Sequence, residues 1–148
     1  MTALRGSIAR VGYTRPVPAP VPLAERALPV PPLAAAAVAW LVPGAGHLLL
    51  GRRQKGVTFL VALAAMFAIG LGLSGRLFPF EVSQPLVALA AMAARGIGAP
   101  AFLAGWFDLG EGVVTAASYE YGNTFLIVSG LLNMLVALDA FDVASGRK

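Results

Sequence analysis

The sequence predicts an all-α integral membrane protein of three to four transmembrane helices, preceded by an extended proline-rich N-terminal tail. Of the 148 residues, 58% are hydrophobic and 12% are charged, whereas soluble domains average about 25% charged residues. Four long stretches carry no charge or a single arginine, and each is close to the ~20 residues that cross the hydrocarbon core as a helix. Backbone polar groups in lipid must be satisfied within the segment, so these stretches are expected to be helices rather than strands.

The N-terminal tail covers residues 1–32 and combines arginines with alternating prolines. Proline lacks a backbone N–H and fixes φ, so residues 15–23 are expected to be extended, polyproline-II-like chain. The arginines precede prolines rather than an uninterrupted apolar core, which distinguishes this tail from a signal peptide. We expect it to be cytoplasmic, either as a flexible leader or against a partner surface.

The transmembrane domain is predicted over residues 33–148, with spans at about 33–50, 56–75, 84–106 and 121–138. Pro43–Gly46 interrupts the first span, which is therefore either one kinked helix or a re-entrant pair of half-helices. In both arrangements the distribution of Lys and Arg predicts a cytoplasmic N-terminus at a bacterial inner membrane. Four spans place Lys148 on the side of the tail, and a re-entrant first segment places it on the opposite side.

A helix break, a single histidine and a basic turn follow one another in residues 40–56. His47 is interpreted as an axial ligand to a haem or chlorophyll, as a titrating switch, or as a side chain bonded to a carbonyl that the break frees. Arg52, Arg53 and Lys55 are expected to lie at the headgroup level and to bind anionic lipid.

The run Pro43-Gly44-Ala45-Gly46-His47, with Gly51 and then Lys55-Gly56, resembles a family of small, uncharacterised bacterial membrane proteins and, more loosely, the two-helix TM2 domain. Further matching runs are YGNT at 121–124, GLLN at 130–133, LDAFD at 138–142 and GRK at 146–148. The resemblance implies a polytopic membrane fold over most of residues 33–148 and implies no reaction.

Small and polar residues at helical spacing predict where helices pack. Ala64, Ala68 and Gly72 recur every fourth residue in the second span, as do Ala90, Ala94 and Gly98 in the third, and such stripes admit a close helix neighbour. Ser129 and Asn133 share one face of the fourth span, where both are expected to hydrogen-bond to another helix.

Charged side chains inside the spans are few. Arg95 lies near the middle of the third span and needs a partner, for which Asp139 is a candidate, unless residues 96–100 unwind beside it. The carboxylates of residues 107–120 have neither calcium-loop spacing nor a nearby histidine, so we expect neither a metal site nor catalytic residues there. Asp139 and Asp142 are expected to mark the last helical turn, balanced by the cations that follow them.

The favoured hypothesis is a non-catalytic accessory or scaffolding subunit of a multi-subunit membrane complex, which docks through helix faces and its tail. Its expected partners are other membrane-protein subunits and anionic lipid, with neither nucleic acid nor a soluble small-molecule substrate. One alternative is a haem- or chlorophyll-carrying subunit of an electron-transfer or photosynthetic complex, with His47 as ligand. A second is a minimal transporter or channel that uses Arg95 and Asn133. We expect no enzymatic activity and no required cofactor.

Overall fold

A computed structural model of the chain describes residues 30–148, and within them every regular element is a helix. The helices are α1 (Pro32–Leu41), α2 (Ala45–Leu49), α3 (Arg53–Gly72), α4 (Pro85–Arg95), α5 (Ala99–Trp106) and α6 (Tyr119–Ala144). The predicted all-α class is confirmed for this part of the chain. The predicted extended tail lies outside the described residues, except for residues 30–32.

In the part of the chain that the structure describes, two helices are long and apolar enough to cross a membrane, namely α3 with 20 residues and α6 with 26. The α4–α5 pair would make a third span, but its axis bends by 108° at the break between the two helices. The predicted second and fourth spans therefore correspond to α3 and α6, and the predicted third span is a bent pair rather than a straight helix. The structure thus has two or three candidate spans, one fewer than the predicted three to four.

The predicted first span, residues 33–50, is broken at Pro43 into two short helices, α1 and α2. Pro43 lacks an N–H and disfavours helical geometry in the residue before it, and Val42 is extended at φ −126° and ψ 114°. The chain then folds back, so that Gly46 of α2 lies against Ala35 and Ala39 of α1. These two short helices form the first hairpin, residues 32–49.

The first hairpin enters and leaves the bundle at the same end. Trp40, near its tip, contacts Asn133 in the middle of α6, whereas Arg52, just after it, donates to the backbone carbonyl of Lys148 at 3.2 Å. The hairpin therefore runs from the C-terminal end of α6 to its middle and back, as the re-entrant interpretation of this segment predicts.

The second hairpin, residues 85–106, approaches the same point from the opposite end. α4 begins beside the first turns of α6, with Leu86 near Glu120, and it ends where Gly96 contacts Met134. After α5, the chain returns to the C-terminal end of α3, where the amide of Leu77 donates to the carbonyl of Gly110 at 2.8 Å.

α6 is the central helix, with one face packed against α1, α3 and α4. The two ends of the helical bundle differ in charge. The basic end, residues 50–55 and 144–148, contains Arg52, Arg53, Lys55, Arg147 and Lys148. The acidic end, residues 73–84 and 107–120, contains Glu81, Asp108, Glu111 and Glu120 together with Arg76.

Candidate functional site

The two hairpins meet at Asn133, which is fully buried in the middle of α6. Its Nδ2 donates to the carbonyl oxygen of Trp40 at 2.8 Å and to that of Gly96 at 3.0 Å. Each carbonyl lies at a helix break, where the regular helical acceptor pattern stops. One side-chain amide therefore satisfies an acceptor from each hairpin.

The hairpin tips also touch each other directly. Gly98 has φ +80°, and a Cβ at this position would collide with the carbonyl oxygen of Trp40. The ring of Trp40 packs edge-on against Phe102 of α5, with 6.4 Å between centroids. Ile97, in the break between α4 and α5, is fully buried. The junction is thus closely packed, with Asn133 as its polar centre.

A second polar cluster lies about 9 Å further along α6, six residues at 1.5 Å each. His47 is fully buried, and its Nε2 lies 2.9 Å from Oδ2 of Asp139. A carboxylate can only accept, so Nε2 carries the proton in this hydrogen bond. The ring of Phe59 packs edge-on against the imidazole at 5.3 Å. The α2 helix of the first hairpin is therefore tied to α6 through His47.

Two lysines join this cluster from the basic end. Lys148 Nζ lies 2.6 Å from Oδ1 of Asp139, and Lys55 Nζ lies 3.5 Å from Oδ2. The hydrogen bond to Asp139 raises the pKa of Lys148 above its ordinary value, because the carboxylate favours the charged ammonium. Arg147 lies 3.6 Å from Asp142. The expectation that cations balance both aspartates at the end of α6 is confirmed.

This geometry bears on two of the three interpretations of His47, the structural one and the axial ligand. The imidazole bonds to a carboxylate and not to a freed backbone carbonyl, so the structural interpretation was wrong about the acceptor. As an axial ligand it would have to offer Nε2, which Asp139 already occupies, or Nδ1, which is buried and without a hydrogen-bond partner in the described residues. The haem or chlorophyll hypothesis stays a prediction. Within residues 30–148, no three His, Cys, Asp or Glu side chains come together as a metal site.

Arg95 does not pair with Asp139. Its Nη1 donates to the carbonyl of Phe78 at 3.0 Å and lies 3.5 Å from that of Ala91. The break at residues 96–98 places Arg95 at the end of α4, where the chain turns away from α6. Of the two environments predicted for Arg95, the unwound stretch is therefore the one found.

The two small-residue stripes have different surroundings. In the α4 stripe, Ala94 is buried at 1% exposure and Gly98 contacts the first hairpin. In the α3 stripe, Ala64, Ala68 and Gly72 are all exposed, and no atom outside the helix lies within 4 Å of a Cβ placed on Gly72. The face of α3 that packs inside the bundle instead carries Leu63, Phe67 and Gly70.

Two polar residues of α6 differ from the sequence-based view. Ser129 donates to the carbonyl of Leu126 in its own helix at 2.8 Å rather than to another helix. Asn123, which the prediction did not single out, accepts from the amide of Arg76 at 2.7 Å and so holds the loop after α3. Asn123 lies on the same buried face of α6 as Ser129 and Asn133, and the 3–4 spacing of that face could have identified it.

These features define a class of protein: over residues 30–148 the chain is all-helical, with two or three helices long and apolar enough to span a membrane, closed by two opposed hairpins. The particular family follows from the sequence. Residues 34–148 match the family of unknown function DUF6677, and the chain belongs to that family. The expected membership of an uncharacterised family is confirmed, and the likeness to the TM2 domain is not. No curated protein and no solved structure matches the chain.

Proposed function

We propose that this chain is a non-catalytic accessory subunit that docks against a helix of another membrane protein. The outward face of α3 carries this proposal. Ala64, Ala68 and Gly72 stay exposed although the other face of α3 is packed, and exposed Val57 and Val61 extend the apolar surface of the same helix. Small residues at this spacing let two helix backbones approach closely in lipid, where packing rather than the hydrophobic effect drives association.

The chain has no cysteine, so single-cysteine variants test this docking face in native membranes. Ala68→Cys carries a photo-crosslinker on the stripe, and Ala62→Cys carries it at an exposed position about 120° around the helix. We expect an adduct with a different membrane protein from position 68 only, and its loss when Gly72→Leu is added. Equal adducts from both positions, or an adduct with a second copy of this chain alone, would contradict the proposal.

We further propose that the protein lies in a bacterial inner membrane with the basic end in the cytoplasm. Both hairpins return to the end from which they enter, so residues 50–55 and 144–148 share one side. That side carries five Lys and Arg side chains, against Arg76 at the acidic end. The positive-inside rule then assigns the basic end to the cytoplasm. α1 begins at this end, so the N-terminal tail also leaves on the cytoplasmic side.

Cysteine labelling from outside intact cells tests this orientation. Gln54→Cys and Ser145→Cys lie at the basic end, and Ser83→Cys and Thr115→Cys lie at the acidic end, all four at exposed positions. A membrane-impermeant maleimide is expected to label the second pair only, and both pairs once the cells are lysed. Labelling of one member from each pair would mean that the second hairpin, which lies between positions 83 and 115, crosses the membrane.

A second candidate function, a minimal transporter or channel, is favoured by the meeting of the two hairpins. Broken helices that meet at the bilayer midplane build the substrate sites of several transporter folds, because their ends expose backbone dipoles. Here the ends of α1 and α4 meet at Asn133, with Arg95 at the last position of α4.

Flux assays in proteoliposomes test this second candidate. Potassium, chloride and proton fluxes are measured for the full chain, for Arg95→Leu and for Arg53→Leu, a charge removal at the basic end. A transporter or channel predicts flux that Arg95→Leu abolishes and Arg53→Leu preserves.

The cofactor-carrying alternative has its own test, since it requires a visible absorption band that His47→Ala removes.

A further inference from the structure

A cavity of about 670 Å³ lies at the acidic end, between the second hairpin and the loops that flank it. It is within the roughly 300–1,000 Å³ range of small-molecule pockets. Its wall includes Arg76 and Arg95, the carboxylates Asp108 and Glu111, and apolar side chains such as Phe102 and Val114. Both charge signs and an apolar side therefore border one space.

The charged side chains that line this cavity form no ion pairs with one another. Within residues 30–148, the ion pairs involve Asp139 and Asp142 and none of the four charged cavity residues. Arg95 is held in place by the carbonyl of Phe78, and the neighbours of Phe78, Leu77 and Pro79, both line the cavity. The guanidinium is therefore anchored at the cavity wall by Nη1, which leaves Nε and Nη2 as donors.

We propose that this cavity binds a phosphoethanolamine group. Arginine donors recognise phosphate oxygens in a forked, charge-assisted geometry, and Asp108 and Glu111 supply acceptors for an ammonium group. The two positive and two negative side chains balance, which favours a ligand with both charges over a simple anion. Phe102 and Val114 are 54% and 66% exposed, so an acyl chain attached to the bound group could leave along an apolar surface.

The same chemistry occurs in an ethanolamine phospholipid and in soluble phosphoethanolamine. For the lipid, the purified full chain is mixed with equal amounts of phosphatidylethanolamine and phosphatidylglycerol, and native mass spectrometry counts the lipid retained. For the soluble molecule, thermal unfolding is followed with phosphoethanolamine and with inorganic phosphate. Selective retention or stabilisation by the ethanolamine compound in either arm supports the proposal, and the arm that responds identifies the source.

Variants at each sign of charge make the test specific. Arg76→Gln with Arg95→Gln should weaken retention about tenfold or more, because charge-assisted contacts to the phosphate are lost. Asp108→Asn with Glu111→Gln keeps the phosphate contacts and should remove the preference for ethanolamine or reverse it toward phosphatidylglycerol. Glu120→Gln, an exposed position at the acidic end outside the cavity wall, is the matched control and should change neither measurement.

Two results would overturn the proposal. One is equal binding of the ethanolamine compound and its competitor by the unmodified chain. The other is an ethanolamine preference that survives Asp108→Asn with Glu111→Gln. The second result stays informative if the arginine variant fails to fold, since Asp108 and Glu111 are exposed loop residues whose side chains form no ion pair within residues 30–148.

Discussion

Replacing Asn133 by alanine should loosen both hairpins at once. The substitution removes two buried hydrogen bonds, to the carbonyls of Trp40 and Gly96. Interhelical hydrogen bonds in membrane proteins contribute about 0.6 kcal/mol on average and at most about 1.7 kcal/mol, so two of them correspond to about 1–3 kcal/mol. Removal of the side-chain oxygen, which is buried without a partner, offsets part of this loss. We expect a net destabilisation of about 1–2 kcal/mol.

Asn133→Asp is a sharper version of the same change because the side chain keeps its shape. An ionised carboxylate has no N–H for either carbonyl and would carry an unpaired charge in the apolar interior. A protonated one could donate to a single carbonyl only. Asn133→Asp should therefore destabilise the protein more than Asn133→Ala does. Ser129→Ala is the control, since Ser129 bonds only within its own helix and its loss should cost less than about 1 kcal/mol.

Hydrogen–deuterium exchange of the detergent-purified protein locates the effect, and thermal unfolding gives its size. In Asn133→Ala, protection should fall together at residues 40–47 and 94–99 and stay unchanged at the acidic end of α6. The reasoning is refuted if only one hairpin tip loses protection, if neither does, or if Ser129→Ala produces the same pattern.

Three further predictions concern packing and charge. A Cβ at Gly130 would collide with the carbonyl of Ala93, whereas a Cβ at Gly72 would meet open space. Gly130→Ala should therefore lower the free energy of unfolding by about 1–3 kcal/mol. Gly72→Ala should leave it unchanged or raise it by up to about 1 kcal/mol, and denaturant titration measures both. The pKa of Lys148 is raised in the folded state, so its pairing with Asp139 stabilises the fold fully below pH 10.5, the ordinary lysine value, and this stabilisation disappears as the pH rises through the raised pKa. The free energies of unfolding of the unmodified protein and of Lys148→Gln should therefore converge at alkaline pH. A constant difference between them would contradict the assignment. Asp139→Asn removes the negative charge and one of the two carboxylate oxygens that accept from His47, Lys55 and Lys148. It should increase trypsin cleavage after Arg52 and Lys55, whereas Asp142→Asn should not.

Much of the helical architecture could be predicted from the sequence because it depends on local composition. The long apolar segments that became α3 and α6 were visible from their lack of charge, and Pro43 marked the break in the first segment. The direction in which the chain leaves a break is different, because it depends on contacts that are distant in sequence. Trp40 and Gly96 are both joined to Asn133, and no local pattern in residues 40–44 or 96–98 identifies that common partner.

The polar clusters were predicted as residues but not as pairs. His47 and Asp139 each stand out in the sequence, but they are 92 residues apart, and no local pattern indicates the hydrogen bond between them. Asp139 was a candidate partner for Arg95 because a charge inside a span needs one, but Arg95 is at the tip of the second hairpin and Asp139 is near the basic end. Because each hairpin returns to the end from which it enters, Arg95 lies beside the middle of α6 and Asp139 lies near its C-terminal end. This topology excludes a pair between them.

The hairpins also give the buried polar groups of this protein a structural role that is independent of transport. Each helix break leaves carbonyl groups in an apolar interior, where they must find donors whether or not a solute passes. Asn133 Nδ2 and part of Arg95 meet this need, so their presence alone does not indicate a permeation pathway. The buried side-chain atoms that the described fold leaves without a hydrogen-bond partner are Asn133 Oδ1 and His47 Nδ1. A transporter would act through Asn133 and Arg95 at the junction, whereas a docking subunit needs only the outward face of α3, and the two functions are therefore separable by mutation.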